Sequence, residues 1–225
     1  MKKKIVMSAI ALTVAFVLSA CQATDVVSKL AVNSFDAVTN KLGDKVAFDQ
    51  KYNAWALTLP TGERFLIAKD FTGSADTIQE FDAKPFLDAG LDPAKLPAEV
   101  FEYDQASNKL LVIGEIGSEQ FNYSGEAKVS DTFKEIVRTN RDAVGYHAKL
   151  DHYGIVMGNG NMFEWAKDMN TNDKDVVFVL NPEPFINAGV DPSKVDGWAF
   201  AKVEVMDEQG KPMEVDKLLR PFELD

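Results

Sequence analysis

Residues 82–96 read DAKPFLDAGLDPAKL, and residues 181–195, shifted by 99 positions, read NPEPFINAGVDPSKV. Seven of these 15 aligned positions are identical, and six more exchange residues of similar character. Upstream, residues 55–70 (WALTLPTGERFLIAKD) align with residues 153–168 (YGIVMGNGNMFEWAKD) at a shift of 98. Two blocks that recur in the same order at nearly the same spacing predict an internal duplication. We therefore divide the body of the chain into two homologous units, residues 24–123 and 124–225.

Each unit begins with a segment of helical periodicity. Apolar residues recur at helical spacing from Val27 to Leu42, and Gly43 is a typical helix end. In the second unit a cap at Ser130 or Asp131 precedes the corresponding apolar stripe, which consists of Phe133, Ile136, Val137 and Val144. We expect each helix to cover the sheet of its own unit.

Strict alternation of apolar residues then predicts strands. Two alternating runs flank a turn at residues 60–63, and two more flank Asn159-Gly160, which is a strong hairpin signal because both residues tolerate positive φ. Further strands are predicted at residues 76–81, 99–103, 109–113, 175–180 and 198–206. Strands that follow one another through short turns must be antiparallel. The predicted fold is therefore α+β, with each unit a helix packed on an antiparallel sheet with hairpins.

The duplicated motif predicts a short helix in each unit. Pro85 and Pro184 suit its first turn, and Gly90 and Gly189 suit a left-handed position just after its end. The Phe that follows each Pro, at positions 86 and 185, is expected to be a core anchor.

The N-terminus has the pattern of an export signal. Residues 2–4 are Lys, and residues 5–17 form an apolar run that is too short to span a bilayer. The next four residues, Leu18-Ser19-Ala20-Cys21, resemble the lipobox of bacterial lipoproteins. This resemblance implies that residues 1–20 are a signal peptide, that Cys21 carries diacylglycerol and fatty acyl chains such as palmitate, and that residues 21–23 begin a lipid-anchored tether.

Composition limits the location and the partners. Cys21 is the only Cys, so the chain has no intramolecular disulfide. In Gram-negative lipoproteins an Asp after the acylated Cys marks inner-membrane retention, and this chain has Gln22, which favours the outer membrane. The formal net charge of −11 makes nucleic acid an unsuitable partner, since phosphates attract Lys and Arg.

Few residues of the sequence suggest a catalytic, metal-binding or ligand-binding role. The two His, His147 and His152, do not share a helix face, and we expect a solvated or capping role for His152. We expect no metal and no cofactor, although one loop has the alternating oxygen side chains of a calcium site: Asp168, Asn170, Asn172 and Asp175. Four strand aromatics are expected to pack in the core or to line a ligand-binding face: Trp55, Tyr153, Trp165 and Trp198.

These observations favour a non-enzymatic lipoprotein of the cell envelope, anchored by lipid, that binds another envelope protein or a small ligand. One alternative is a carboxylate-based hydrolase of envelope polysaccharide, which would use the abundant Asp and Glu. A second alternative is an acidic inhibitor or immunity protein that binds a basic partner.

Overall fold

The computed structural model describes residues 21–68, 77–114, 129–139, 144–147, 150–157, 159–168, 174–206 and 212–224. Within these ranges lie four α-helices: α1 (Cys21–Leu42), α2 (Lys84–Asp88), α3 (Val129–Thr139) and α4 (Glu183–Asn187). None of the helices in these ranges is both long and apolar enough to cross a membrane.

Twelve strands in the same ranges form two sheets. The first sheet contains β1 (Val46–Asp49), β2 (Ala54–Thr58), β3 (Arg64–Ala68), β4 (Thr77–Asp82), β5 (Phe101–Asp104) and β6 (Lys109–Gly114). The second contains β7 (Val144–His147), β8 (His152–Val156), β9 (Met162–Ala166), β10 (Val176–Leu180), β11 (Ala199–Met206) and β12 (Pro212–Phe222). All neighbouring strands are antiparallel.

The two sheets have the same topology. The spatial order is β1-β2-β3-β4-β6-β5 in the first and β7-β8-β9-β10-β12-β11 in the second. Each short helix follows the fourth strand of its unit, so α2 and α4 are equivalent. The predicted α+β fold with two similar units is confirmed.

The predicted hairpins are present, but the first strand of each unit and the last strand, β12, were not predicted. Leu59 and Met157 close the β2–β3 and β8–β9 turns by donating backbone hydrogen bonds to Glu63 and Asn161. Val144, which periodicity placed on the helix of the second unit, is instead the first residue of β7. It follows Val137 by seven residues, a spacing that a helix also produces, and β7 has only four residues.

Equivalent residues of the two units meet at a pseudo-two-fold axis. Three Phe pairs related by the duplication have close ring centroids: Phe35 and Phe133 at 3.8 Å, Phe65 and Phe163 at 4.1 Å, and Phe86 and Phe185 at 4.9 Å. Pairs of this kind require that the units face each other through the same surface. The arrangement is that of a symmetric dimer contained in one chain.

Backbone hydrogen bonds repeat the same symmetry. The amide of Asp92 donates to the carbonyl of Ala188, and the amide of Asp191 donates to the carbonyl of Ala89, both at 2.9 Å. Each bond therefore has an equivalent in which the two units exchange roles. Together with the Phe pairs, these bonds join both units around one apolar core.

The long helices do not simply cover their own sheets. Helix α1 packs against β7, β8 and β9 of the second sheet as well as against β2 of the first, and α3 packs against β3 of the first sheet. The buried hydroxyl of Ser34 in α1 donates to the carbonyl of Ala166, which ends β9, at 2.6 Å. The long helix of each unit therefore packs against the sheet of the other unit. This exchange corrects the expectation that each helix would cover the sheet of its own unit.

Candidate functional site

An open groove lies between α1 and the ends of β8 and β9. It encloses about 660 Å³. The groove is lined by Leu30, Asn33, Ser34, Ala37, Asn40 and Lys41 of α1 and by Tyr153, Lys167 and Asp168 of the second unit. Because the wall and the floor come from different units, the groove is a product of the exchanged helix.

Helical spacing explains the wall that α1 provides. Its lining residues recur at intervals of one, three and four positions, which places them on one face of a helix. Residues on the adjoining face, including Ala31, Phe35 and Val38, are buried in the core. Leu30 is the large apolar residue among the α1 residues that line the groove, and 45% of it is exposed.

Two lysines in the groove are held by carboxylates. The ammonium of Lys41 lies 3.0 Å from the carboxylate of Asp175, which is almost fully buried. The ammonium of Lys167 lies 3.4 Å from the carboxylate of Asp151 and 5.4 Å from the ring centroid of Tyr146. These contacts orient both ammonium groups beside the groove.

Two tyrosines near Lys167 have raised pKa values. The hydroxyl of Tyr146 donates to Asp151, and this bond, with burial, raises the pKa of Tyr146 to about 12. The same bond holds the pKa of Asp151 below its usual range, assisted by Lys167. Burial raises the pKa of Tyr153 as well. Near neutral pH the hydroxyls of Tyr146 and Tyr153 are therefore neutral and the carboxyl group of Asp151 is ionised.

The α1 residues that line the groove differ in charge from their counterparts in α3. The shift of 98 residues pairs Asn33 with Asp131, Ala37 with Glu135 and Asn40 with Arg138, so neutral positions of α1 correspond to charged positions of α3. Lys69 and Asp70, which correspond to Lys167 and Asp168, lie outside the described residues. The two helices have thus diverged on this face although their core faces agree.

The four predicted ligand-binding aromatics do not share one surface. Tyr153 lines the groove, although it is only 2% exposed. Trp165 is fully buried against Phe35 and Phe133. Trp55 and Trp198 are half-buried and pack on the core at other places. Of the four, Tyr153 is the one that the structure places in the groove.

The calcium-like loop is only partly described. Asn170 and Asn172 lie outside the described residues, whereas the carboxylate of Asp175 accepts hydrogen bonds from Lys41 and from the amide of Leu224. Where the structure describes the chain, no group of three His, Cys, Asp or Glu side chains is arranged to hold a metal ion.

The solvated or capping role expected for His152 is wrong. His147 and His152 are each 1% exposed, and both imidazoles face the buried carboxylate of Glu164 on the outer face of the second sheet. Alternation along β8 and β9 separates this face from the core, but it does not reveal that the outer face is buried too.

Comparison with known proteins provides no relative: no family model, no curated protein and no solved structure matches this chain. The chemistry of the groove is therefore judged from its own residues. Ammonium, amide, hydroxyl and carboxylate groups line it, and Asp168 is the only carboxylate among its described lining residues. Such a set forms hydrogen bonds and ion pairs with a polar ligand.

Proposed function

We propose that this chain is a lipid-anchored lipoprotein of the cell envelope whose body is a non-enzymatic binding module. The observation that carries the binding role is the groove between α1 and the ends of β8 and β9. It combines an open space with ammonium, amide and carboxylate groups. The lipobox-like residues Leu18-Ser19-Ala20-Cys21 support the anchor, and Gln22 favours the outer membrane in a Gram-negative source.

The groove residues favour binding over hydrolysis. Glycosidases with two catalytic carboxylates place them about 5–9.5 Å apart across the scissile bond. Among the described residues that line the groove, Asp168 has no second carboxylate beside it in the lining. The ligand class that suits the groove is a small polar molecule, or a polar segment of another envelope protein, that offers both donors and acceptors.

Labelling tests the anchor. Cells that express the wild-type chain or Cys21→Ser are grown with an alkyne-bearing fatty acid, and the purified proteins are compared for label. We expect label on the wild type alone, because Cys21 is the only thiol that can form the thioether. Label that persists on Cys21→Ser would contradict the assignment of this residue.

Photo-crosslinking in the envelope tests the groove. A benzophenone amino acid is placed at Ala37, which lines the groove, and in a control at Ala47, an exposed residue of β1. We expect an adduct from position 37 that is absent at position 47. Lys167→Ala should weaken this adduct, because it removes an ammonium from the groove. Equal adducts from both positions, or an adduct unaffected by Lys167→Ala, would contradict the proposal.

A further inference from the structure

Three titratable side chains form a buried cluster on the outer face of the second sheet. They come from three adjacent strands: His147 from β7, His152 from β8 and Glu164 from β9. Their exposed fractions are 1%, 1% and 2%. The Oε2 atom of Glu164 lies 3.4 Å from Nδ1 of His147 and 3.7 Å from Nδ1 of His152. Both imidazoles of the chain therefore share one carboxylate.

Gly154 makes this arrangement possible. It pairs with Glu164 in the sheet, and a Cβ at Gly154 would lie 3.1 Å from Cγ of Glu164. The Glu164 side chain thus crosses β8 above a residue that has no side chain. Without this space the carboxylate could not reach His147 on β7.

The fold itself does not require the cluster. The duplication pairs His152 with Ala54, Gly154 with Ala56 and Glu164 with Leu66. In the first sheet these three residues form a small apolar cluster and are all buried. These three positions of the same topology are therefore stable with aliphatic side chains, whereas His147 corresponds to Asp49, which pairs with Arg64. The requirements of the fold therefore do not explain why the second unit has ionisable side chains at this place.

The charge on the cluster follows from its single carboxylate. Burial raises the pKa of Glu164, but the hydrogen bond with His147 and the nearby imidazole of His152 outweigh this effect and hold that pKa below its usual range. An ionised, buried carboxylate requires a nearby positive charge. The two imidazoles are the groups that touch it, and one carboxylate neutralises one imidazolium. A second imidazolium would leave a buried net charge.

Other described charges near the cluster are few. Asp151, in the turn between β7 and β8, interacts electrostatically with His152 but pairs with Lys167. Strand β10 brings only Val177 and Val179 to this face. Lys217 of β12 lies on the same face by alternation, and its ammonium donates to the carbonyl of Gly160. Within the described part of the chain, Nε2 of His147 and Nδ1 of His152 have no hydrogen-bond partner.

We propose that the His147–His152–Glu164 cluster is a proton-sensing device that holds one proton on its two imidazoles and makes folding most favourable at slightly acidic pH. Below about pH 6.5 the unfolded chain binds a proton on each His, whereas the cluster holds one, so acid favours unfolding. Above that pH the unfolded chain binds neither proton, whereas the cluster holds one, so alkali favours unfolding as well.

Urea unfolding of the full chain between pH 5.5 and 8.5 tests this device. Both His of the chain belong to the cluster, so imidazole titration in this range reports on it alone. We expect the folding equilibrium constant to peak near pH 6.5. It should be about threefold lower one pH unit away on either side, and about 25-fold lower at pH 8.5.

Single substitutions should each remove one side of the optimum. His147→Gln and His152→Gln leave one imidazole for one carboxylate, so the loss of stability towards acid should disappear. Glu164→Gln removes the counter-charge, so the loss towards alkali should disappear. If Glu164→Gln does not fold, the triple change His152→Ala, Gly154→Ala, Glu164→Leu, which copies the first unit, should also lack the alkaline loss.

Three results would overturn the proposal. The first is a wild-type profile that is flat between pH 5.5 and 8.5, and the second is variants that keep both sides of the optimum. The third is a rise in the unfolding midpoint of the wild type on addition of Zn²⁺ that Glu164→Gln abolishes, because the cluster would then be a metal site.

Discussion

The backbones of Gly90 and Gly189 approach each other closely between the two units. Their φ angles are +106° and +100°, and each follows a short helix, as the duplicated motif predicts. A Cβ at Gly90 would lie 2.7 Å from the carbonyl oxygen of Gly189, and a Cβ at Gly189 would lie 2.9 Å from that of Gly90. Glycine is thus required here for two separate reasons, which are the left-handed backbone and the approach of the other unit.

A pair of variants separates these two reasons. Gly90→Ala should lower the free energy of unfolding by about 3 kcal/mol, because a backbone oxygen cannot yield without disturbing the neighbouring inter-unit bonds. Gly62→Ala is the control, since Gly62 has a φ of +94° but nothing within 4 Å of its Cβ position. It should cost only about 1 kcal/mol. Urea denaturation measures both, and equal costs would show that the contact is unimportant.

Single residues differ in how far the sequence predicts them. Phe86 and Phe185 are fully buried, as their repetition in the motif indicates. His152 was expected to be solvated or to act as a cap, but it is buried beside His147 on the outer face of the sheet, a face that is usually polar and hydrated. Only the three-dimensional structure reveals that Glu164 crosses Gly154 to reach them. In the same way, Lys41 becomes a groove residue only through the exchanged position of its helix.

At the scale of elements, local signals predict local structure well. The turn at residues 60–63 and the Asn159-Gly160 turn specify two hairpins without help from the rest of the chain. Three strands were missed, namely β1 and β7, which have four residues each, and β12. An apolar residue such as Val144 fits both a helical and an extended pattern. The helix exchange was also missed, because periodicity identifies the buried face of α1 but not the surface that covers it.

The exchange has a consequence for how the groove is maintained. Ser34 of α1 donates to the carbonyls of Ala166 and Lys167, so the groove wall is attached to the end of β9. The same β9 residues precede Asp168 on the groove floor. Wall and floor therefore keep their spacing through hydrogen bonds between units, and any change that separates the units opens the groove.

At the scale of the whole molecule, one core implies one unfolding transition. Phe86 of the first unit contacts Phe185 of the second, and both are fully buried. Phe86→Ala should lower the free energy of unfolding by about 3–5 kcal/mol, as deletion of a large buried aromatic does. Because the two units share this contact, the second unit should lose stability together with the first.

Tryptophan fluorescence can follow the unfolding of the second unit. In a Trp55→Phe background the remaining reporters are Trp165 and Trp198, which both belong to residues 124–225. Phe86→Ala should shift their urea midpoint by as much as it shifts the midpoint from circular dichroism. A fluorescence midpoint that stays unchanged while half of the circular dichroism signal is lost would mean that the units unfold independently.

The reciprocal bonds between Asp92 and Ala188 and between Asp191 and Ala89 also bear on the history of the gene. Two identical half-length chains would meet through the same two bonds. In such a homodimer, every substitution is present in both subunits at once. After the halves are joined in one reading frame, each side mutates alone. Ala54 and Leu66 can then remain aliphatic in one half while His152 and Glu164 become ionisable in the other, at no expense to the shared axis.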